Sequence, residues 1–329
     1  MKRALGALLV PLSIAPFVLV APIVVSAHRN FDRRHKSEPL PVPQAYLAPG
    51  EIHLYRPLPP NPGAVPVLVY HGINDSGDGW SVTRVELARE MQMLRRMGFR
   101  TLSIAQYARF LHGDSAGLPA RPILITFDDG RLDSYRGADR VLQEYGFHAT
   151  MFVAPGRIRA DDPEYLAWKE LQAMTESGRW DVQELAGAAP RRVAYDAHGH
   201  TGPFYAFRRY TRSEGLESLA EWEQRVTTDV FAGDEALRDH LPGYRGVTFA
   251  VPYGDYGQIA TNDPRIPRLL RAFLLRRFET IFVSGDDPGY SAADALHGEA
   301  PRFEVHTTTS LYALYSWLRD HATAAEAVA

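Results

Sequence analysis

From Val65 onward, short apolar runs alternate with segments whose apolar residues recur at helical spacing. "VPVLVYHG", "ILITF", "ATMFV", "WDVQEL", "VTFAV", "TIFV" and "RFEVH" read as strands. Between them, "TRVELAREMQMLRRMGF" reads as a helix with a capping box at Thr83 and Glu86 and a stop at Gly98. "DSYRGADRVLQEYGF" predicts a second helix ending at Gly146. Others are expected around Trp168 to Glu176, near Leu219 to His240, in "RIPRLLRAFLLRRF" and in "SLYALYSWLRDH". Repeated strand-helix units predict an α/β fold with parallel strands covered by helices. Periodicity leaves open whether the sheet closes into a barrel. In either form ligands gather at the C-terminal strand ends. Asp128, Asp129, His71 and Tyr253 all fall at such ends.

The N-terminal part has a different pattern. Lys2 and Arg3 precede an uncharged stretch from Ala4 to Ala27 that is long enough, as a helix, to cross a bilayer core. Residues 1–27 are therefore expected to be a signal peptide or membrane anchor, with Val25-Ser26-Ala27 resembling a cleavage site. Basic residues flank both ends, so the charge rule gives no orientation. The expectation is export, with the main domain anchored or secreted outside the cytoplasmic membrane. Residues 28–63, rich in proline and charge, read as a linker with little core of its own. The domain proper is expected over 64–322, followed by a short tail over 323–329.

Composition narrows the chemistry. The 329 residues are 45% hydrophobic and 23% charged, as in a globular protein. A net charge of −3 gives no electrostatic reason to expect nucleic acid as partner. No cysteine is present, which excludes disulfides, thiolate catalysis and Cys-ligated zinc. Any bound metal must rest on His, Asp or Glu.

The candidate chemistry centres on "RPILITFDDGRLDSY", where an apolar run leads directly into Asp128 and Asp129. Ionised carboxylates at the edge of a core are costly unless something compensates them. Adjacent carboxylates can divide labour, one binding a metal and the other taking a proton from metal-bound water. Gly130 permits a sharp turn, so the two side chains need not face opposite ways. A simple Asp-Asp-Gly turn capping the next helix is the alternative.

"TFDDG" after an apolar strand resembles the first motif of the polysaccharide deacetylases, the NodB-homology carbohydrate esterases. "VPVLVYHGI" followed by "LRRMGFRTLS" is similar to members acting on poly-N-acetylglucosamine. "FHATMFV" matches the following strand, "FAVPYGDYGQ" resembles the third motif, and "RFEVH" the fifth. The resemblance implies a distorted, incomplete (β/α) barrel. It also implies metal-dependent removal of acetyl groups from an N-acetylated glycan, with zinc the expected divalent metal. Carried across, Asp128 would be the general base and Asp129 a metal ligand. The Tyr253 backbone amide would help hold the oxyanion, and His306 would be the acid that protonates the leaving amine. His306 could equally be a histidine that simply ends a strand.

The sequence departs from the family pattern at its second motif. Two histidines are expected just after "WDVQ", but Leu185 and Pro190 stand there, and neither side chain can coordinate a metal. Three explanations compete. His198 and His200 in "DAHGHTGPFY" could replace the pair, since residues i and i+2 of an extended segment face one side. Catalysis could be lost, leaving a glycan-binding protein, because one carboxylate makes a poor metal cage. Or His71, His148 or His240 could contribute. Ala250 also replaces an arginine common in the third motif, which removes a cationic partner for the base aspartate. The aromatic cluster Phe204, Tyr205, Phe207 and Tyr210 could stack on sugars or pack a loop onto the barrel.

Overall fold

A computed structural model describes residues 37–322 apart from 77, 160–161, 189 and 284–297. The segment expected as signal peptide or anchor, the start of the linker and the tail lie outside the described residues. Among the described residues no helix is long and apolar enough to cross a membrane.

A compact unit begins at Pro39, so from that point the proline-rich stretch expected as a linker with little core of its own belongs to the domain. Helix α1 (Pro49–Leu54) lies within it. Leu47 and Tyr55 are buried in the core, and the amides of Leu58 and Asn61 donate to the carbonyls of Met97 and Ala120. Proline keeps this stretch extended, but its few apolar side chains still find the domain surface.

The alternation then proceeds through β1 (Val67–Tyr70), α2 (Arg84–Met97), β2 (Arg100–Thr101), α3 (Ile104–Leu111), β3 (Pro122–Phe127), α4 (Leu132–Tyr145) and β4 (Ala149–Val153). It continues with α5 (Trp168–Glu176) and β5 (Trp180–Glu184). Two short antiparallel hairpins interrupt it: β6 (Arg192–Ala194) with β7 (Thr201–Pro203), and β8 (Tyr210–Thr211) with β9 (Gly215–Leu216). Then follow α6 (Leu219–His240), β10 (Thr248–Ala250), α7 (Ile266–Arg277), β11 (Thr280–Val283), β12 (Glu299–Pro301), β13 (Phe303–Glu304) and α8 (Leu311–Ala322). Helix α2 starts at the expected capping box: Thr83 Oγ1 accepts from the Glu86 amide, and the Glu86 carboxylate accepts from the Thr83 amide.

The strands of the main sheet are all parallel, in the order β12-β11-β10-β5-β4-β3-β1-β13, with β2 beside the start of β3. Its two ends are consecutive in sequence. β12 pairs with β11, β13 pairs with β1, and only Arg302 separates them. The segment from Glu299 to Glu304 therefore joins both edges and turns the sheet into a nearly closed barrel. Closure removes the exposed strand edges that an open sheet would leave.

Trp180, Asp181 and Gln183 in β5 each make a polar contact that fixes a neighbouring element, whereas the buried Glu184 carboxylate has no hydrogen-bond partner among the described residues. Trp180 Nε1 donates to the buried Asp139 carboxylate at 2.9 Å. Asp181 accepts from the Ile104 amide at the start of α3 and from His148. The Gln183 carbonyl oxygen accepts from the amides of Val247 and Thr248, fixing the start of β10. β5 thus ends in a defined register beside the cavity described next.

Candidate functional site

Alternation along β3 sets the site. Ile123, Ile125 and Phe127 are buried in the cluster that packs against α2 and α4, whereas Leu124 belongs to the other cluster. Thr126 and Asp128 share the face of Leu124 by the two-residue period of a strand. Asp128 is thereby carried into the barrel. Asp129 would point the other way in a continued strand, but it takes φ 70°, followed by Gly130 at φ 64°. A Cβ at Gly130 would come 3.0 Å from the Val153 side chain, so any larger residue there would crowd Val153 as well as strain the backbone. The turn brings both carboxylates to one cavity.

That cavity, of about 650 Å³, opens at the C-terminal ends of the strands. Asp128, Asp129, His71, Arg157, Tyr253 and Arg302 line it. Trp80 and Tyr253 also line it and expose about half their surface, 56% and 47%. Tyr253 is in a tight turn, Pro252–Gly254, directly after β10 and has φ 60°. A non-glycine residue held in the left-handed region needs support from its surroundings, and such residues cluster at sites.

Arg302 makes two parallel hydrogen bonds to Asp128, Nη1 to Oδ1 and Nη2 to Oδ2, both 2.7 Å. Both residues are buried. The guanidinium carbon lies 5.6 Å from the ring centres of Phe152 and Phe282. The sequence reading expected Asp128 to have lost its cationic partner because Ala250 stands in the third motif. The structure supplies one from the seam where the barrel closes, between β12 and β13. A bidentate arginine holds the carboxylate in plane and leaves each oxygen one further acceptor site. Among the described residues Asp129 has no such partner. Burial, and next the Asp128 charge, push its carboxyl above the usual range, while His71, Arg157 and Arg131 pull the other way. Arg131 is itself paired with Asp133, and Arg157 donates to Tyr165 and to the Pro190 carbonyl.

His71 stands at the end of β1, and its Nδ1 is buried without a hydrogen-bond partner among the described residues. The Trp80 ring meets His71 at 5.7 Å and His306 at 5.4 Å between ring centres. His306 does not line the cavity, whereas Trp80 does. His148 is paired with Asp181, and His240 stacks on Trp168 at 4.0 Å. Neither lines the cavity.

Leu185 and Pro190 do line the cavity, at the two positions where histidines were expected. His198 and His200, proposed from sequence as their replacements, do not line it; both are exposed near the turn of the β6-β7 hairpin. A tight turn at Gly199, rather than the extended segment expected, brings the two imidazoles together, and the sequence could not say which carboxylate they would meet. Among the described residues, no trio of ligand atoms that could hold a metal includes Asp129. The residues around Asp129 therefore do not fit a centre with three protein ligands. The aromatic cluster is also resolved: Phe204, Tyr205 and Phe207 are buried, so they pack the loop onto the barrel. Arg302 and Arg157 were missed by sequence reasoning. The arginine that opens "RFEVH" was the one available signal, and only the closure of the barrel gives it meaning.

Residues 116–263 match the polysaccharide deacetylase family. The Bacillus subtilis protein YxkH is 31% identical over 137 residues, 40% of this chain and 48% of that protein. The poly-beta-1,6-N-acetyl-D-glucosamine N-deacetylase of Escherichia coli K12 is 26% identical over 215 residues, 60% of this chain and 31% of that protein. The chain thus spans less than half the length of either relative. The solved structure of a de-N-acetylase from Aggregatibacter actinomycetemcomitans superposes with a TM-score of 0.65 at 18% identity, covering 77% of this chain and 99% of that one. At that identity the likeness establishes the fold, the distorted (β/α) barrel expected from the motifs.

Proposed function

We propose that this chain, whose residues 116–263 match the polysaccharide deacetylase family, hydrolyses the acetamido groups of an N-acetylated polysaccharide, releasing acetate and leaving free amines on the sugar. One observation carries this reading: Asp128 and Asp129 are turned into the same cavity, with Asp128 held by Arg302. A carboxylate so oriented can accept a proton from a water that attacks the acetyl carbonyl. The Tyr253 amide, in its left-handed turn at the cavity mouth, is the candidate donor to the developing oxyanion. Collapse of the tetrahedral intermediate breaks the C–N bond, and the departing nitrogen takes up a proton. His71 lines the cavity and His306 does not, so His71 is the better placed imidazole for that step. Trp80 and Tyr253 offer exposed rings to the apolar faces of sugars. We place the domain outside the cytoplasmic membrane, on the composition of residues 1–27.

Acetate release from N-acetylglucosamine oligomers by the purified protein tests the proposal. Asp128→Asn is expected to lower the rate by at least about a hundredfold, as loss of a general base does. Near-UV circular dichroism would show that its barrel is intact. No acetate above that variant's background, on any of several N-acetylated glycans, would defeat the hydrolase reading. Retained glycan binding in that case would leave a binding protein.

A further inference from the structure

The β6-β7 hairpin carries a second cluster of ligating side chains, outside the cavity. We propose that Asp196, His198 and His200 form a site for one divalent transition-metal ion on this hairpin. One ligand atom from each residue lies within 4.8 Å of the other two, the only such trio among the described residues. His200 Nδ1 is 2.6 Å from Asp196 Oδ2. The backbone amides of His198 and His200 both donate to Asp196 Oδ1, at 2.9 and 3.1 Å. The carboxylate is therefore oriented by main chain before any ion arrives. Gly199, at φ 84°, makes the tight turn that puts the two histidines on the same side of the loop as Asp196. The His200 ring stacks beside Tyr195, which stacks in turn on the buried Phe207 at 4.8 Å.

An Asp196–His200 ion pair alone would account for His200 but not for His198, whose ring centre lies 6.0 Å from that of His200. Two imidazoles and one carboxylate suit zinc, nickel, cobalt or copper. Magnesium and calcium ask for more oxygen ligands than the hairpin has. Both histidines are exposed, which leaves the remaining coordination positions to water.

The hairpin is tied to the rim of the cavity. Arg192 in β6 lies over the Tyr253 ring at 6.0 Å and donates to the Thr201 carbonyl across the hairpin. Pro190, just before β6, lines the cavity. A bound ion would staple the tip of the element whose base forms that wall.

The proposal stands independently of the reaction and is tested with zinc chloride alone. Equilibrium dialysis or calorimetry would compare the full chain, His198→Ala/His200→Ala and Asp129→Asn. The full chain and Asp129→Asn are expected to bind about one equivalent, with zinc raising the melting temperature of both. The double variant, altered only at exposed positions, is expected to melt like the unliganded full chain and to bind at least about tenfold more weakly. Wild-type affinity in the double variant, loss of binding in Asp129→Asn, or no binding by the full chain would each overturn it.

Discussion

Among individual residues, the pairing of Asp128 with Arg302 bears the most weight. Neither can be removed alone without leaving a buried charge unopposed, a defect that costs about 3–5 kcal/mol. Arg302→Ala is therefore expected to lower unfolding free energy by that order, measured by urea titration, and to remove deacetylation. Arg302→Lys keeps the charge but cannot form the fork, so it should recover stability more than activity. Glu90 offers a different test. It is buried and accepts a hydrogen bond from Tyr70 at 2.9 Å. Burial pushes its carboxyl up to about 7, against the lowering effect of that hydrogen bond. A raised carboxyl keeps its proton in the folded state while the unfolded chain has lost it. Its contribution is complete below about pH 4.5 and declines as pH rises to about 7, roughly 3 kcal/mol in all. Glu90→Gln should flatten that part of the stability profile, measured by denaturation at a series of pH values.

At the scale of elements, the strand-to-helix turn after β3 does the positioning. Alternation alone would send Asp128 and Asp129 to opposite faces. The consecutive left-handed residues Asp129 and Gly130 reverse that. Gly130→Ala would meet both an unfavourable φ and Val153 at 3.0 Å. The expected cost is at least about 1 kcal/mol. Activity should fall further than stability, because Asp129 would shift with the turn. Thermal melting and acetate release measured on the same variant separate the two effects.

For the whole molecule, closure of the barrel and assembly of the site are one event. The six residues Glu299–Glu304 pair with β11 through β12 and with β1 through β13, and their middle supplies Arg302. A chain ending at residue 298 would expose two strand edges and leave Asp128 buried without its counter-charge. Such a truncation is expected to show no cooperative melting transition by far-UV circular dichroism, whereas trimming only residues 323–329 should preserve one.

Local chemistry determined much of this protein. The apolar runs, the Thr83 capping box and the glycine stops specify the elements because strand and helix periods depend on near neighbours in the chain. The paired aspartates were legible as the end of an apolar run, and Leu185 and Pro190 through the resemblance to the family's second motif; the cavity holds all four. Which distant residues complete the site was decided by tertiary structure alone. Arg302 reaches Asp128 across a separation of 174 residues because the sheet curls until its edges meet. His198 and His200 instead meet Asp196, two and four positions away, because a tight hairpin turn brings near neighbours together before any longer loop can carry them to the barrel.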